Sequence, residues 1–208
     1  MYSIPSQIIE GFPPRGADCS HARILLLGSF PSIRSKEKSE YYGNARNHFW
    51  PLLFRIARIP ESEVFNASYG DKLHVASALG IMLWDMIKSC RRANSSDSEL
   101  EIIALNDLEA LLESSSSIVY IGLNGGLAVS LFLQTTKGLG DEMRTARKAL
   151  ARVGGRTSLC ISGAERIVAR LPSTSPVPTR NFLTLNEKEP LWRSFLEDAL
   201  YSENPCAS

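Results

Sequence analysis

Four consecutive aliphatic residues, Ile24-Leu25-Leu26-Leu27, run straight into Gly28-Ser29-Phe30-Pro31. A run that short and unbroken, flanked by polar residues, reads as a strand buried on both faces. That is the mark of a parallel sheet covered by helices. Gly28 permits a sharp exit and a close approach of a ligand to the backbone, and Pro31 fixes the chain just beyond it. Open α/β sheets bind ligands past the carboxyl ends of their strands, so this loop is the default site. Tyr41, Tyr42, Asn44, Arg46, Asn47, His48, Phe49 and Trp50 then crowd into one stretch. Rings that stack and amides that pair with an edge suit a flat, polar, aromatic ligand.

The rest of the chain repeats the pattern of strand, turn and helix. Ile118 to Leu123 reads as a strand that leaves through Asn124-Gly125-Gly126 into an apolar helix, Leu127 to Leu133. Such a turn places backbone amides where an anion can bind, although many α/β turns look the same. Thr157–Ile161 and Ile167–Leu171 read as further strands. The second enters Pro172-Ser173-Thr174-Ser175-Pro176, a stiff loop rich in small donors. It suits a phosphate backbone, and a plain connector suits it equally.

Asn47 stands where a helix N-cap belongs, with Pro51 in the first turn and Trp50, Leu53, Phe54 and Ala57 along one apolar stripe. Capping and catalysis are both open to Asn47, and position alone favours capping. A helix from Asp71 to Leu79 closes at Gly80, and Asn106 is placed to cap another through Leu112. Asp85 interrupts the apolar segment Ile81 to Ile87, and an acid there needs a partner or a task. Cys90 to Ser98, with Arg91 and Arg92, reads as a polar loop. Pro190 to Tyr201 reads as a closing helix. The expected organisation is an irregular lead-in over 1–22, one domain over 23–202, and a tail over 203–208.

Composition excludes more than it selects. A net charge of +1 over 208 residues offers no global polyelectrolyte argument. Arg144, Arg147, Lys148, Arg152 and Arg156 nevertheless form a stretch without acids, either a local basic face or a solvated helix surface. Cys19, Cys90, Cys160 and Cys206 are far apart and the histidines show no ligand spacing, so no metal site is expected. The thiols fit a reducing compartment. No signal peptide or membrane-spanning run is read, and the expected location is cytoplasmic, nucleoid-associated in a bacterium or nuclear in a eukaryote.

Taken together, Gly28-Ser29-Phe30-Pro31-Ser32 and Tyr41-Tyr42-Gly43-Asn44-Ala45-Arg46-Asn47-His48-Phe49-Trp50-Pro51 resemble the first motif of the uracil-DNA glycosylase superfamily. The hypoxanthine-DNA glycosylase branch is the most similar. Leu171-Pro172-Ser173-Thr174-Ser175-Pro176 resembles the second motif, the loop that enters the minor groove. Leu83-Trp84-Asp85, Ser89-Cys90-x-Arg92 and Asn124-Gly125 stand in the expected order.

The resemblance implies a three-layer α/β/α sandwich around a short, mainly parallel sheet, and hydrolysis of the N-glycosidic bond of a deaminated base in DNA. Hypoxanthine is favoured, with uracil and xanthine in range. Neither metal nor organic cofactor is implied, and a monomer is expected. Other branches carry an Asp or Asn where this chain has Phe30; the hypoxanthine branch relies instead on the Asn that maps to Asn47. That overrides the capping preference, with Asn44 as runner-up. Ala45 stands where the family often has Pro.

The expected site is therefore Asn47 and Ser29 for the chemistry. Tyr42, Phe30, Asn44, Asp85 and Phe49 are expected around the base. Ser173, Thr174, Ser175, Arg180, Asn124, Gly125 and Arg46 are expected on DNA, with Arg170 a weaker candidate. Competing readings are a uracil or mismatch-specific enzyme, or a damaged-DNA-binding module of the same fold without catalysis. A nucleotide-binding α/β enzyme is disfavoured, since neither G-x-G-x-x-G nor a Walker lysine is present.

Overall fold

The computed structural model describes residues 7–91, 100–136, 140–177 and 181–202. Ile24 to Leu27 are fully buried and form most of strand β3 (Ile24–Gly28). Their side chains alternate as a strand dictates. Leu25 and Leu27 enter one core, with Ile121, Leu123 and Val168, while Ile24 and Leu26 enter the other, with Leu83, Phe195 and Leu196. A strand with two buried faces needs apolar residues at every position, which is why the run is unbroken.

Three more strands lie parallel to β3: β4 (Ile81–Asp85), β7 (Tyr120–Asn124) and β9 (Ala164–Leu171). Antiparallel strands β2 (Arg15–Gly16) and β8 (Arg156–Ile161) close the edges, giving the order β2-β4-β3-β7-β9-β8. Helices cover both faces. On one side lie α2 (Phe49–Ile56), α4 (Tyr69–Ala78) and α8 (Leu185–Tyr201). On the other lie α5 (Leu108–Ser114), α6 (Gly126–Thr135) and α7 (Gly140–Leu150). Short helices α1 (Ile33–Lys38) and α3 (Glu61–Asn66) sit in the connections. The architecture is a mixed α/β fold with a central, mostly parallel sheet between helical layers. Among the described residues no helix is long and apolar enough to cross a membrane.

Several boundaries differ from expectation for local reasons. Residues 9–10 of the lead-in form β1 and pair with β5 (Ile87–Arg91), which pairs with β6 (Glu101–Leu105) in a second, antiparallel sheet. Cys90 and Arg91 are therefore strand, while 92–98 of the expected polar loop lie outside the described residues. The cap of α5 is Asp107, whose side chain accepts from Ala110 N–H; Asn106 is drawn away to donate to the Asp85 carbonyl at 2.8 Å. Helix α8 begins before Pro190, at a capping box in which Thr184 and Glu187 satisfy each other's backbone N–H groups.

Candidate active site

The parallel strands β3, β4, β7 and β9 end on one edge, and there Gly28, Asp85, Asn124 and Leu171 bring the expected motifs together. A recess of about 140 Å³ opens at that edge, lined among others by Ser29, Phe30, Tyr42, Asn47, Asp85 and Ser173. Roughly 10–15 Å³ suffices for one water, so the recess has room for a small planar molecule.

Its floor depends on a glycine. Gly28 lies opposite Asp85 in the β3–β4 register, and a Cβ at Gly28 would stand 2.3 Å from Asp85 Oδ1. Only a residue without a side chain lets the carboxylate, itself 4% exposed, sit against the strand end. The loop beyond is anchored by Met86 and Ile87 N–H groups, which donate to the Gly28 and Ser29 carbonyls at 2.9 and 3.0 Å.

Tyr42 forms one wall. Its ring stacks on Phe49 with centroids 3.9 Å apart and planes 19° apart, and its hydroxyl accepts from Asn124 Nδ2 at 3.3 Å. The backbone there is left-handed, with φ of 55°. Burial first, and then the nearby Asp85 carboxylate, hold the Tyr42 phenol well above its ordinary range, so it stays protonated. Phe49, expected to touch the base, is instead buried behind Tyr42 and absent from the recess wall: α2 packs it against Trp50 and Trp192. It supports the Tyr42 ring.

Asn47 reaches the recess from the turn before α2. Its Oδ1 accepts from Phe49 N–H at 2.9 Å, while the cap position itself falls to His48, whose side chain caps nothing. The bond fixes the amide plane and leaves Nδ2 and the second Oδ1 lone pair for a ligand. The capping and site readings are thus compatible at one residue. Asn44 is absent from the recess wall. It lines the adjoining groove, and its Oδ1 accepts from Arg46 N–H at 3.0 Å. Arg46 is exposed.

The loop after β9 is tied to this turn from within. Asn124 Oδ1 accepts from Thr174 N–H at 2.9 Å, Asn124 Nδ2 donates to Thr174 Oγ1 at 2.9 Å, and the Thr174 carbonyl accepts from His48 N–H at 3.0 Å. Thr174 is fully buried. Asn124 and Thr174, expected on DNA, therefore join the three segments, because their polar groups are consumed inside the protein. Gly125 has φ of 97°, and a Cβ there would meet Ser173 Cβ at 3.1 Å. Ser173 and Ser175 Oγ accept from Ser175 and Val177 N–H, which shapes the loop and leaves their O–H groups as donors.

Two residues outside the expected set complete the seam. Lys188 of α8, 2% exposed, lies 3.0 Å from His48 Nδ1 and donates to the Ser175 carbonyl at 3.4 Å. Burial lowers both basicities, and for His48 the Lys188 charge lowers it further. No motif marks Lys188: it stands between two glutamates in a polar helical stretch.

The candidate cations are less free than their number suggests. Arg170 donates to the Leu150 and Ala151 carbonyls at the end of α7, Arg156 pairs with Asp198, and Arg144 pairs with Asp141 at 2.9 Å. Lys148 and Arg152 are exposed. Arg180 and Arg92 lie outside the described residues.

Comparison with known proteins adds a relationship to this geometry. The model of the uracil DNA glycosylase superfamily matches residues 14–198. A hypoxanthine DNA glycosylase of Methanosarcina acetivorans is 34% identical over 118 residues, 57% of this chain and 72% of its own length. One from Methanosarcina barkeri is 29% identical over 116 residues, 56% of this chain and 70% of its own length. An NMR structure from Methanosarcina acetivorans, provisionally named a uracil DNA glycosylase, superposes with a TM-score of 0.67. It is 27% identical, with 93% of this chain and 99% of that one covered.

Proposed function

The chain belongs to the uracil DNA glycosylase superfamily, and from that premise we propose that it releases hypoxanthine from DNA by hydrolysing the N-glycosidic bond with a water held by Asn47. The observation that carries the reading is the placement of Asn47 on the recess wall, its amide plane fixed by Phe49 N–H, with Phe30 beside it buried and unable to hold water.

A base stacked in a duplex is out of reach, so the nucleotide must turn out into the recess at a cost of roughly a few kcal/mol. Tyr42, immobilised by Phe49 and Asn124, offers a rigid surface for the extruded ring. An amide cannot take a proton at neutral pH. Asn47 acts by aiming the water at the anomeric carbon, a positioning role. The C–N bond breaks and its electron pair leaves with the base; the water oxygen bonds to the sugar and gives up a proton to solvent, and the departing base takes one up from solvent. Charge develops on both fragments, so fixed dipoles around Ser29 and phosphates along the strand carry the stabilisation. Hypoxanthine presents O6 and N7 as acceptors to such donors. Adenine would aim its amino group at them, and each such mismatch costs about 1–3 kcal/mol.

Alkaline cleavage of labelled duplexes tests the reading. Inosine-containing DNA incubated with the protein should break at the inosine, and Asn47→Ala should abolish the break while still shifting the DNA in a gel. Binding without cleavage by the unaltered protein would make it a damage-binding module instead.

A further inference from the structure

We propose that Lys188 and His48 form a phosphate-recognition pair for the DNA strand entering the site; the glycosylase reading supplies only the identity of the polymer. Lys188 is 2% exposed, and among the described residues no carboxylate lies within ion-pair distance of its ammonium. The adjacent Glu187 carboxylate accepts from Thr184 N–H at 2.8 Å at the start of α8; it keeps its charge and favours the charged Lys188 from beyond ion-pair distance. An ammonium held in a protein interior with no carboxylate in contact is unfavourable, and a hydrocarbon of the same length would serve packing better. Its location suggests what compensates it. Nζ touches the turn that carries Asn47, through His48 at 3.0 Å, and the loop Ser173–Ser175, through the Ser175 carbonyl at 3.4 Å. Both segments frame the recess.

The contact also fixes the imidazole. An ammonium only donates, so His48 Nδ1 accepts and the proton of the neutral ring sits on Nε2. His48 is half-buried, next in sequence to Asn47, and its backbone N–H is bonded to Thr174. The pair therefore offers an N–H donor backed by a cation, at the contact between the turn that carries Asn47 and the loop that carries Ser175. A phosphodiester oxygen matches that arrangement, since it accepts the hydrogen bond and adds a negative charge close to the pair.

Fluorescence anisotropy over a salt series, on undamaged duplex and on duplex carrying an abasic analogue, tests the pair. Lys188→Met should melt at or above the wild-type temperature yet bind about tenfold more weakly at low salt. Its slope of log affinity against log salt should be shallower by about one. Lys188→Arg should keep the slope. His48→Phe, which leaves the Ser175 contact intact, should weaken binding, and its melting temperature reports separately the cost of the acceptor that Lys188 loses. It remains informative if Lys188→Met does not fold. Nitrogen-15 NMR of the wild type should place the His48 proton on Nε2. Unchanged affinity in Lys188→Met or His48→Phe, or a His48 proton on Nδ1, would overturn the proposal. A wild type that releases no hypoxanthine would overturn the previous reading while leaving the slopes on undamaged duplex readable.

Discussion

Asn47 uses one lone pair of its amide on Phe49 N–H at 2.9 Å, which orients the group before any water arrives. Replacing it by Ala removes that bond and, on the proposed mechanism, the group that holds the water. Single-turnover release should fall at least roughly a hundredfold, while the loss of a cap-like contact costs about 1 kcal/mol. Rates and melting curves measured together separate the two effects, and full activity in Asn47→Ala with loss in Asn44→Ala would transfer the role to Asn44. His48 carries a second expectation. Its pKa is lowered from the ordinary 6.5, first by burial and then by Lys188. As pH falls through that ordinary value the unfolded chain takes up a proton that the folded protein refuses, so stability should decline below it and be fully present above. Melting at acidic and neutral pH should show this loss, and His48→Gln, which keeps an acceptor for Lys188, should show less of it.

Among the elements, the candidate site is a junction of four parallel strand ends, and the Asn124 side chain ties the loop after β9 to the turn that carries Tyr42. Asn124 bonds Thr174 twice and Tyr42 once, at 2.9, 2.9 and 3.3 Å. Asn124→Ala leaves Thr174 groups unpaired inside the protein, so it should cost about 1–3 kcal/mol. It should also slow base release by about tenfold, because the second loop and the Tyr42 ring both lose their anchor. The salt dependence of binding should stay unchanged, since no charge is removed. A salt slope that flattens in Asn124→Ala would return this residue to the DNA surface.

The elements also show what the sequence can and cannot express. Ile24–Leu27 was legible because two-sided burial demands unbroken apolarity, and the Gly28 exit because a neighbouring carboxylate excludes any Cβ. Helix α1 was not, since Ile33 to Lys38 (IRSKEK) holds no apolar stripe; its start is set by Ser32, which accepts from Ser35 N–H. Pro190 looked like a helix start and lies inside α8. Asn124, Thr174 and Lys188 earn their roles from partners 50 residues away for the first two and 140 for the third, distances that no local pattern encodes.

Over the whole molecule, a net charge of +1 leaves DNA affinity to local groups rather than to a global field. Among the described residues no group of three or more His, Cys, Asp or Glu is arranged to hold a metal. Activity should persist in excess chelator, and a loss restored by zinc or magnesium would point to a metal-dependent step. Single-turnover assays under enzyme excess should compare inosine, uracil and xanthine opposite thymine, cytosine and guanine. The recess beside Tyr42, with Phe30 in place of a water-holding side chain, predicts hypoxanthine released faster than uracil, helped by the weaker pairing of inosine. Uracil released faster than hypoxanthine in every context would contradict it.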